Sequence, residues 1–298
     1  MGNSTGGIIV TGSRGFIGTK LITELKKRYE VFEFDVSLDP SMDILNREFV
    51  KTYIDEVKPD TIIHLAGNPS VKYSDINPVD DLVVNTIGTL NLLTALNKNN
   101  SRCHFIFAST AQIYGEPVDL PVSEEHVTEP ITNYGVSKLA CEKYVKNFGS
   151  RGVIKYTIFR IFNVYGPGQR PGFVIPDLIH KIKQLNYEEP LPLYASEQTS
   201  RDFIFVNDVV KIFTKAVELG GQNKVFNVCY GKEIRIIDLA RQILKILGKE
   251  SNKIVLKDTS NSKGVERLVG DPTKMQRFFD IKLTDFQHGI EETVKSYD

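Results

Sequence analysis

The sequence lacks tryptophan and has only three cysteines among its 298 residues. Cys103, Cys141 and Cys229 are odd in number and lack Cys-x-x-Cys spacing, so we expect buried, reduced thiols rather than a disulfide or zinc framework. The five histidines show no metal-ligand spacing, which predicts no metal site, and His64 on an apolar run is predicted to pack in the core. No run approaches the ~20 apolar residues of a membrane span, and the N-terminus lacks signal-peptide features. We therefore predict a cytoplasmic protein.

A charge excess of either sign is also lacking. Thirty-seven basic residues balance 37 acidic ones, so no broad electric field would attract nucleic acid or an anionic membrane, and neither partner is predicted. An anionic ligand must therefore be bound by local groups. With 41% hydrophobic and 25% charged residues, the composition is typical of a globular protein with a full core.

Short β-branched runs alternate with helical patterns in the first half of the chain. The predicted strands are 8–10, 31–34, 61–65, 103–107 and 155–160, and the predicted helices are 18–29, 82–96 and 134–148. This alternation predicts an α/β fold with a doubly wound parallel (Rossmann) sheet. After about residue 163 the pattern is less regular. We predict one domain over 1–165 and a smaller mixed lobe over 166–298, with segments near 203–230 returning to the sheet.

A glycine-rich turn follows the first predicted strand. Gly12, Gly15 and Gly18 form Gly-x-x-Gly-x-x-Gly between that strand and a helix. The first glycine permits the tight turn, the second lets the backbone approach a pyrophosphate, and the third lets the helix pack on the strand. The helix N-terminus offers N–H donors to the phosphates. The pattern therefore predicts that residues 1–165 bind a dinucleotide.

Two charged side chains bear on which dinucleotide is bound. Asp35 ends the second strand, where a carboxylate binds the adenosine ribose, and it favours NAD because it repels a 2′-phosphate. Arg14 would instead pair with that phosphate, unless it is a solvated surface side chain. NAD is thus the predicted cofactor, with NADP as the alternative that Arg14 permits.

Tyr134 and Lys138 lie one helical turn apart on the same predicted helix face. A nearby ammonium and the positive charge of a nicotinamide are expected to lower the pKa of the phenol, so that it accepts a hydroxyl proton while hydride leaves the same carbon. Upstream, Ser109 and Thr110 end an apolar strand whose carboxyl end would face the ligand crevice. Thr110 would bond the reacting oxygen, unless both hydroxyls only satisfy backbone groups at the turn.

Six motifs in this order resemble the extended short-chain dehydrogenase/reductases, and more narrowly the NAD-dependent sugar epimerase/dehydratase family. They are Thr-Gly-Ser-Arg-Gly-Phe-Ile-Gly at 11–18, His-Leu-Ala-Gly at 64–67, Asn-x-x-Gly-Thr at 85–89, Ser-Thr-x-x-Ile-Tyr-Gly at 109–115, Tyr-x-x-x-Lys at 134–138 and Arg-Ile-Phe-Asn-Val-Tyr-Gly-Pro-Gly-Gln at 160–169. The resemblance extends through 201–210 and 270–274, and so covers nearly the whole chain.

The resemblance implies roles for individual residues. The implied catalytic residues are Thr110, Tyr134 and Lys138. The implied cofactor contacts are Gly12, Arg14, Gly15, Phe16, Ile17, Gly18, Asp35, Asp43, Ile44, Leu65, Ala66, Asn85, Ser109, Tyr134 and Lys138. The implied substrate contacts are Thr110, Asn163, Leu193, Tyr194, Arg201 and Arg267. The implied substrate is a nucleotide-diphosphate sugar bound by the C-terminal lobe, and the implied assembly is a homodimer formed through the helices at 82–97 and 134–148.

The residues after Thr110 bear on the reaction type. Family members that dehydrate nucleotide sugars carry Asp-Glu there to move protons at C5 and C6, whereas this chain has Ala111 and Gln112. Neither side chain titrates near neutrality, which disfavours a 4,6-dehydratase.

Two oxidoreductions at C4 of the sugar then stay open. Asp35 favours an NAD-dependent epimerase with a transient 4-keto intermediate. The alternative is an NAD(P)H-dependent reductase of a 4-keto-6-deoxy nucleotide sugar, which would suit Arg14. A catalytically idle NAD-binding regulator is disfavoured, because a protein that only binds NAD would not need the intact catalytic set.

The C-terminal lobe departs from the family pattern in one respect. Relatives often carry Arg-x-x-Gly-Asp before the segment at 270–274, and residues 261–267 lack that arginine and that aspartate. Lys263 or Arg267 would replace the phosphate contact, an arginine with better-defined geometry than a lysine.

Overall fold

A computed structural model describes residues 7–96, 103–257 and 265–297 of the chain. Its largest element is a six-stranded sheet. The strands are β1 (Ile8–Thr11), β2 (Val31–Phe34), β3 (Thr61–His64), β4 (His104–Thr110), β5 (Lys155–Ile161) and β10 (Lys224–Val228). They are ordered β10-β5-β4-β3-β1-β2, and every neighbouring pair is parallel. The predicted doubly wound α/β fold is confirmed.

The order of the strands positions the ligand crevice. The chain runs outward from β1 to β2 and then resumes at β3 on the other side of β1, so the strand order reverses between β1 and β3. In open parallel sheets, ligands bind outside the carboxyl ends of the strands at such a reversal. The carboxyl ends of β1 and β3 are Thr11 and His64, which are paired in register.

Helices cover both faces of this sheet, because its strands are apolar on both sides. In β1, Ile8 and Val10 contribute to one buried cluster and Ile9 to the other. The first cluster includes side chains of α1 (Phe16–Leu25), α8 (Val206–Leu219) and α10 (Thr273–Phe279). The second includes side chains of α2 (Arg47–Val57), α5 (Gly88–Leu96) and α6 (Asn133–Ser150).

The predicted helix over 82–96 is interrupted in the structure. Two short helices, α3 (Val71–Ile76) and α4 (Pro78–Leu82), precede a π-helical segment, Val83–Ile87, which leads into α5. π-Helical segments are frequent at functional sites because they shift side chains out of the α-helical register. The predicted helix over 18–29 instead begins at Phe16 and ends at Leu25.

The remaining elements form a lobe with a separate buried core. Its strand pairs are β6 (Asn163–Tyr165) with β9 (Phe203–Phe205) and β7 (Leu191–Tyr194) with β12 (Ile254–Lys257), and its three-stranded sheet is β11 (Ile234–Arg235), β8 (Ser200–Arg201) and β13 (Arg267–Leu268). Helices α7 (Val174–Gln184), α9 (Ile236–Ile246) and α11 (Phe286–Lys295) contribute most of its apolar side chains. The boundary at residue 165 stays a prediction, with β10 lying in the large sheet.

Three further observations concern the described residues. None of their helices is both long and apolar enough to cross a membrane. Within the same ranges, no group of three or more His, Cys, Asp or Glu side chains could hold a metal ion. Cys103, Cys141 and Cys229 are buried free thiols.

Candidate active site

The glycine turn after β1 is built from close backbone contacts. Gly12 has φ of 68°, and a Cβ atom there would lie 2.7 Å from the backbone nitrogen of Ala66. A Cβ at Gly18 would overlap the carbonyl oxygen of Gly12, and Gly15 N donates to that oxygen at 3.1 Å. The Ser13 hydroxyl in this turn is buried and has no hydrogen-bond partner among the described residues. The turn therefore fits the pyrophosphate of a dinucleotide.

Carboxylates dominate the end of β2, where the adenosine ribose is expected. Asp35 accepts hydrogen bonds from Arg14 N at 2.9 Å and from the N–H and hydroxyl of Ser37 at 3.0 and 2.7 Å. Although burial opposes it, these bonds hold the pKa of Asp35 below its ordinary value. The Arg14 guanidinium, with 49% of its side chain exposed, forms an ion pair with Glu33 at 3.1 Å. Arg14 is thus a half-exposed side chain whose charge is paired with Glu33.

The catalytic candidates meet where α6 begins beside the end of β4. The Thr132 side chain caps α6 by accepting from Gly135 N, and a Cβ at Gly135 would lie 2.6 Å from the carbonyl oxygen of Gln112. This close approach brings the Tyr134 side chain near Thr110, whose hydroxyl acts to lower the pKa of Tyr134. The structure therefore brings these two hydroxyls together from positions 24 residues apart in the sequence.

Lys138 lies on the same helix, one turn after Tyr134, and is 6% exposed. Its ammonium lies 4.4 Å from the ring centroid of Phe107, on β4. Burial lowers the pKa of Lys138, and the charges of Asp81 and Glu142 oppose that effect. The ammonium is therefore held between the sheet and the catalytic helix.

The pKa of Tyr134 differs from the sequence-based expectation. Burial raises it well above the ordinary value, because a phenolate loses hydration in the interior. The Thr110 hydroxyl acts in the lowering direction, and the charge of Asp81 adds to the rise. The groups of the chain itself thus raise this pKa, whereas the predicted lowering also requires the positive charge of a bound nicotinamide.

Asp81 was missed by the sequence analysis. This aspartate of α4 is 1% exposed, and its Oδ1 accepts from Asn85 Nδ2 at 2.8 Å. Its Oδ2 has no hydrogen-bond partner in the described parts of the chain. Asn85, a predicted cofactor contact, also accepts from Asn68 N at 2.9 Å and lies near Ser137 of α6. Nothing in a single sequence distinguishes Asp81 from its exposed neighbour Asp80, because both lie in one short helix.

A second missed group fixes α6 against the sheet. Arg160 of β5 binds Glu142 of α6 through two hydrogen bonds of 3.0 Å, and the Ser109 hydroxyl donates to the same carboxylate at 2.7 Å. Arg160 also donates to the Tyr114 hydroxyl at 3.0 Å. Glu142 and Arg160 are both nearly fully buried, so this bidentate pair defines the angle at which α6 presents Tyr134. The signal available in the sequence was a glutamate four residues after Lys138.

The other predicted cofactor contacts lie around the same crevice. Leu65 N donates to Thr11 O at 3.1 Å and Ala66 N to the Thr11 hydroxyl at 3.3 Å, which places both residues directly after β3. Ile44 is buried and contacts Gly88, where a Cβ would meet it at 2.7 Å or closer. The Asp43 carboxylate accepts from Leu45 N at 2.8 Å. Phe16 and Ile17 are half-buried at the start of α1.

Three predicted substrate contacts lie on strands of the lobe: Asn163 on β6, and Leu193 and Tyr194 on β7. Asn163 donates its amide to Asp202 O at 3.0 Å, while the Asp202 carboxylate accepts from the backbone N–H of Tyr230 at 2.7 Å. The Tyr194 ring is 70% exposed and lies 5.4 Å from the Lys181 ammonium, whereas the neighbouring Leu193 is buried. An exposed aromatic face of this kind suits stacking with a nucleobase.

Two arginines lie on neighbouring strands of the three-stranded sheet, with Arg267 paired in register with Ser200. Arg201 donates to the carbonyl oxygens of Ser200 at 2.7 Å and Glu266 at 3.0 Å, and it has no ion pair within the described ranges. Burial lowers its pKa. Arg267 is half exposed and binds the Glu233 carboxylate through bonds of 2.6 and 2.8 Å. Lys263, the alternative phosphate contact, lies outside the described residues. Arg201 is thus a guanidinium suited to an anionic ligand.

Comparison with known proteins agrees with this geometry. Residues 8–229 match the model of the NAD dependent epimerase/dehydratase family. The chain is 30% identical to a putative UDP-glucose 4-epimerase of Methanocaldococcus jannaschii, with 96% of this chain and 97% of that protein covered. It is 29% identical to the GDP-6-deoxy-D-talose 4-dehydrogenase of Aggregatibacter actinomycetemcomitans, with 97% of each covered.

The crystal structure of UDP-glucose 4-epimerase from Thermotoga maritima with UDP-glucose is similar over 98% of both chains, with a TM-score of 0.87 and 28% identity. These matches confirm the sequence-based predictions of an enzyme and of a nicotinamide dinucleotide cofactor. With the glycine turn, the Asp35 carboxylate and the Tyr134–Lys138 helix in one crevice, the chain belongs to the NAD-dependent epimerase/dehydratase family.

Proposed function

We propose that this protein is an NAD-dependent C4 epimerase of a nucleotide-diphosphate sugar. The observation that carries the proposal is the cluster of Tyr134, Thr110 and the buried Lys138 where α6 begins beside the end of β4. It lies at the carboxyl edge of the sheet, close to the strand reversal where the dinucleotide is expected. A base and a hydrogen-bond donor are thereby aimed at one sugar oxygen.

The side chains divide the chemistry among them. A bound nicotinamide supplies the hydride acceptor and later the donor. The Tyr134 oxygen accepts the proton of the sugar 4-hydroxyl, and Thr110 holds the same oxygen. Because burial raises the pKa of Tyr134, its phenolate is a strong base once formed, and the Lys138 ammonium one turn away stabilises it. Reversal of these transfers on the other face of the 4-keto sugar gives the epimer.

The substrate lobe supports a nucleotide-diphosphate sugar. Arg201 is suited to the diphosphate, because it faces no carboxylate in the described residues. The exposed Tyr194 ring supports stacking with the base. We assign Asn163 and Leu193 to the surroundings of the same ligand.

The reaction type follows from residues near Thr110 and near the ribose. Ala111 and Gln112 support epimerisation over dehydration, because neither can move a proton at C5 or C6. Asp35 and Glu33 support NAD, and an epimerase regenerates NAD within its own cycle. The pairing of Arg14 with Glu33 reduces its availability to a 2′-phosphate.

A reductase of a 4-keto-6-deoxy nucleotide sugar is the second candidate. It is favoured by the 29% identity to a GDP-6-deoxy-D-talose 4-dehydrogenase over 97% of the chain. The two candidates share the catalytic residues and differ in whether NAD(P)H is consumed.

Mass spectrometry of ligands that co-purify with the native protein tests this choice. We expect tightly held NAD, together with interconversion of UDP- or GDP-sugar epimers without added cofactor. An empty protein that consumes NADPH with a 4-keto-6-deoxy sugar would establish the reductase instead. Absence of turnover with every nucleotide-diphosphate sugar and its 4-keto form would overturn both.

We also propose a homodimer formed through the helices at 71–96 and α6. Apolar side chains on these adjacent helices are exposed by 41–70%, namely Tyr73, Ile76, Val79, Leu82, Ile87, Val136 and Tyr144. A patch of this kind on one face marks an interaction surface. Light scattering should give twice the 33.6 kDa chain mass for the wild type. A monomeric mass at micromolar concentration would contradict this assembly.

We propose a cytoplasmic location as well. Its support is the set of three buried free thiols, which suits a reducing compartment. Cell fractionation that recovers the protein outside the cytoplasm would exclude it.

A further inference from the structure

A buried histidine lies where the strand order of the sheet reverses. His64 ends β3 beside Thr11, which ends β1 and precedes the glycine turn. Its Nδ1 is 2.7 Å from Thr11 Oγ1, and its Nε2 is 3.0 Å from Thr89 Oγ1 of α5. His64 is 1% exposed. One imidazole thus joins β1, β3 and α5.

The hydrogen-bond donors around His64 determine which of its ring nitrogens carries the proton. Thr89 donates its single hydroxyl hydrogen to the Asn85 carbonyl oxygen at 2.6 Å, and a carbonyl can only accept. The Thr89 oxygen must therefore accept from His64, so Nε2 carries a hydrogen.

The imidazole is neutral, which determines the role of Nδ1. Burial lowers the pKa of His64 to about 3, and the Lys138 ammonium acts in the same direction. With its one hydrogen on Nε2, the ring must accept at Nδ1 from the Thr11 hydroxyl. Thr11 Oγ1 in turn accepts from Ala66 N at 3.3 Å. Each hydrogen bond from Ala66 N through Thr11, His64 and Thr89 to the Asn85 carbonyl therefore has an assigned donor and acceptor.

This series joins the segments that surround the expected cofactor. Thr11 leads into Gly12, and Ala66 follows β3. Asn85 lies in the π-helical segment, where its carbonyl oxygen also accepts from Cys141 Sγ of α6 at 3.2 Å. The glycine turn and α6 are thereby connected through His64, Thr89 and the Asn85 carbonyl.

We propose that His64 is a positioning residue of the cofactor site: as a neutral imidazole protonated at Nε2, it holds the glycine turn, the segment after β3 and the π-helical segment in the arrangement that binds the dinucleotide. The proposal rests on the cofactor crevice and is independent of the sugar and of the reaction type. A charged imidazolium would break the acceptor role at Nδ1 and add positive charge near Lys138.

NAD affinity of two histidine variants tests the positioning role. His64→Phe leaves two buried hydroxyls without their partner, and we expect it to weaken NAD binding about tenfold or more in calorimetric titration. His64→Gln keeps one amide donor and one acceptor, so it should recover part of that loss.

His104 provides a matched control. It is also a buried histidine on the sheet, 4% exposed, with Nε2 2.8 Å from the Thr157 hydroxyl. It begins β4, at the edge of the sheet opposite the crevice. His104→Phe should lower the unfolding temperature as His64→Phe does, while NAD affinity stays within about twofold.

Nitrogen NMR of the wild-type imidazoles tests the proton assignment without any variant. We expect the His64 signals to show the Nε2–H form and no titration between pH 5 and 8. Titration in that range, or a proton on Nδ1, would overturn the proposal even if a variant failed to fold. Equal NAD binding by wild type and His64→Phe would also overturn it, whereas a wild type that binds neither NAD nor NADP would instead overturn the proposed function.

Discussion

The two sides of the candidate active site satisfy their polar groups in different ways. On the cofactor side, hydrogen bonds run from Thr11 to His64, from His64 to Thr89 and from Thr89 to the Asn85 carbonyl, at the carboxyl edge of a regular parallel sheet. On the substrate side, Arg201 rests on backbone carbonyls of a small sheet, and Arg267 is held by the partly exposed Glu233. The first side is preorganised by internal bonds, whereas the second keeps positive charge for an incoming anion.

This difference matches what each side must bind. The dinucleotide presents the same pyrophosphate and ribose groups throughout the family, so one rigid cofactor site can bind it whatever the sugar substrate is. The relatives differ in nucleotide, with UDP- and GDP-sugars both named among them. Substitutions on the two sides should therefore separate cofactor effects from substrate effects.

The largest loss of turnover is expected from a substitution at Tyr134, which lies between the cofactor side and the substrate side. Tyr134→Phe removes the proton acceptor, and turnover should fall on the order of 10²–10⁴-fold, while the fold and NAD binding are kept. Steady-state kinetics, thermal unfolding and NAD titration measure these three properties. Tyr187→Phe, at an 83% exposed position outside the proposed dimer interface, should behave as wild type. A Tyr134→Phe enzyme within tenfold of wild-type turnover would rule out the assigned base.

A substrate-side change should leave the cofactor side intact. Arg201→Met removes a guanidinium assigned to the diphosphate, so KM for the nucleotide sugar should rise about ten- to a hundredfold with unchanged NAD affinity. Initial-rate kinetics and calorimetry separate the two quantities. Arg241→Met, on the exposed face of α9, is the control. The comparison of the two sides breaks down if NAD affinity falls and KM does not change.

A cofactor-side change should alter the choice of dinucleotide. Asp35→Ser removes a carboxylate that repels a 2′-phosphate, and the affinity for NADP relative to NAD should rise about tenfold. Asp39→Ser is a matched control, because Asp39 accepts from the N–H and hydroxyl of Ser41 as Asp35 does from Ser37. An unchanged ratio in calorimetric titrations would show that Asp35 does not face the ribose.

The smallest effect is expected from a buried charge near the base. The Asp81 carboxylate contributes to the raised pKa of Tyr134, so Asp81→Asn should lower that pKa. Because the phenolate is the active form, the acid limb of the kcat/KM profile should move to lower pH. Asp80→Asn, at an exposed position, is the control and should leave the profile unchanged. An acid limb that moves to higher pH in Asp81→Asn would contradict the proposed effect of Asp81 on the pKa of Tyr134.

Local sequence patterns were sufficient for several features of the site. The glycine spacing at 12–18 identified the phosphate turn, because each glycine answers a steric demand of its immediate neighbours. The spacing of Tyr134 and Lys138 placed both on one face of a helix, and the family resemblance implied their catalytic roles. The alternation of strands and helices identified the parallel sheet, since both faces must be apolar.

Other features depended on contacts that no local pattern records. The bidentate pair of Glu142 with Arg160 and the contact of Asp81 with Asn85 were both missed. The pKa of Tyr134 was expected to fall through the Lys138 ammonium and a bound nicotinamide together, whereas burial by the chain itself raises it. His64 was expected to be a packed core residue, and it is buried, but both of its nitrogens are bonded across the sheet.

The sequence by itself determined the strand–turn–helix order and the glycine-rich turn, because backbone sterics and periodicity act over a few residues. The tertiary structure alone decided which polar groups meet in the interior, such as Thr11 and His64, which are 53 positions apart. It also decided how much water each group loses. Protonation depends on both quantities, so the charge states of this site became evident only after the sheet and its helices had been assembled.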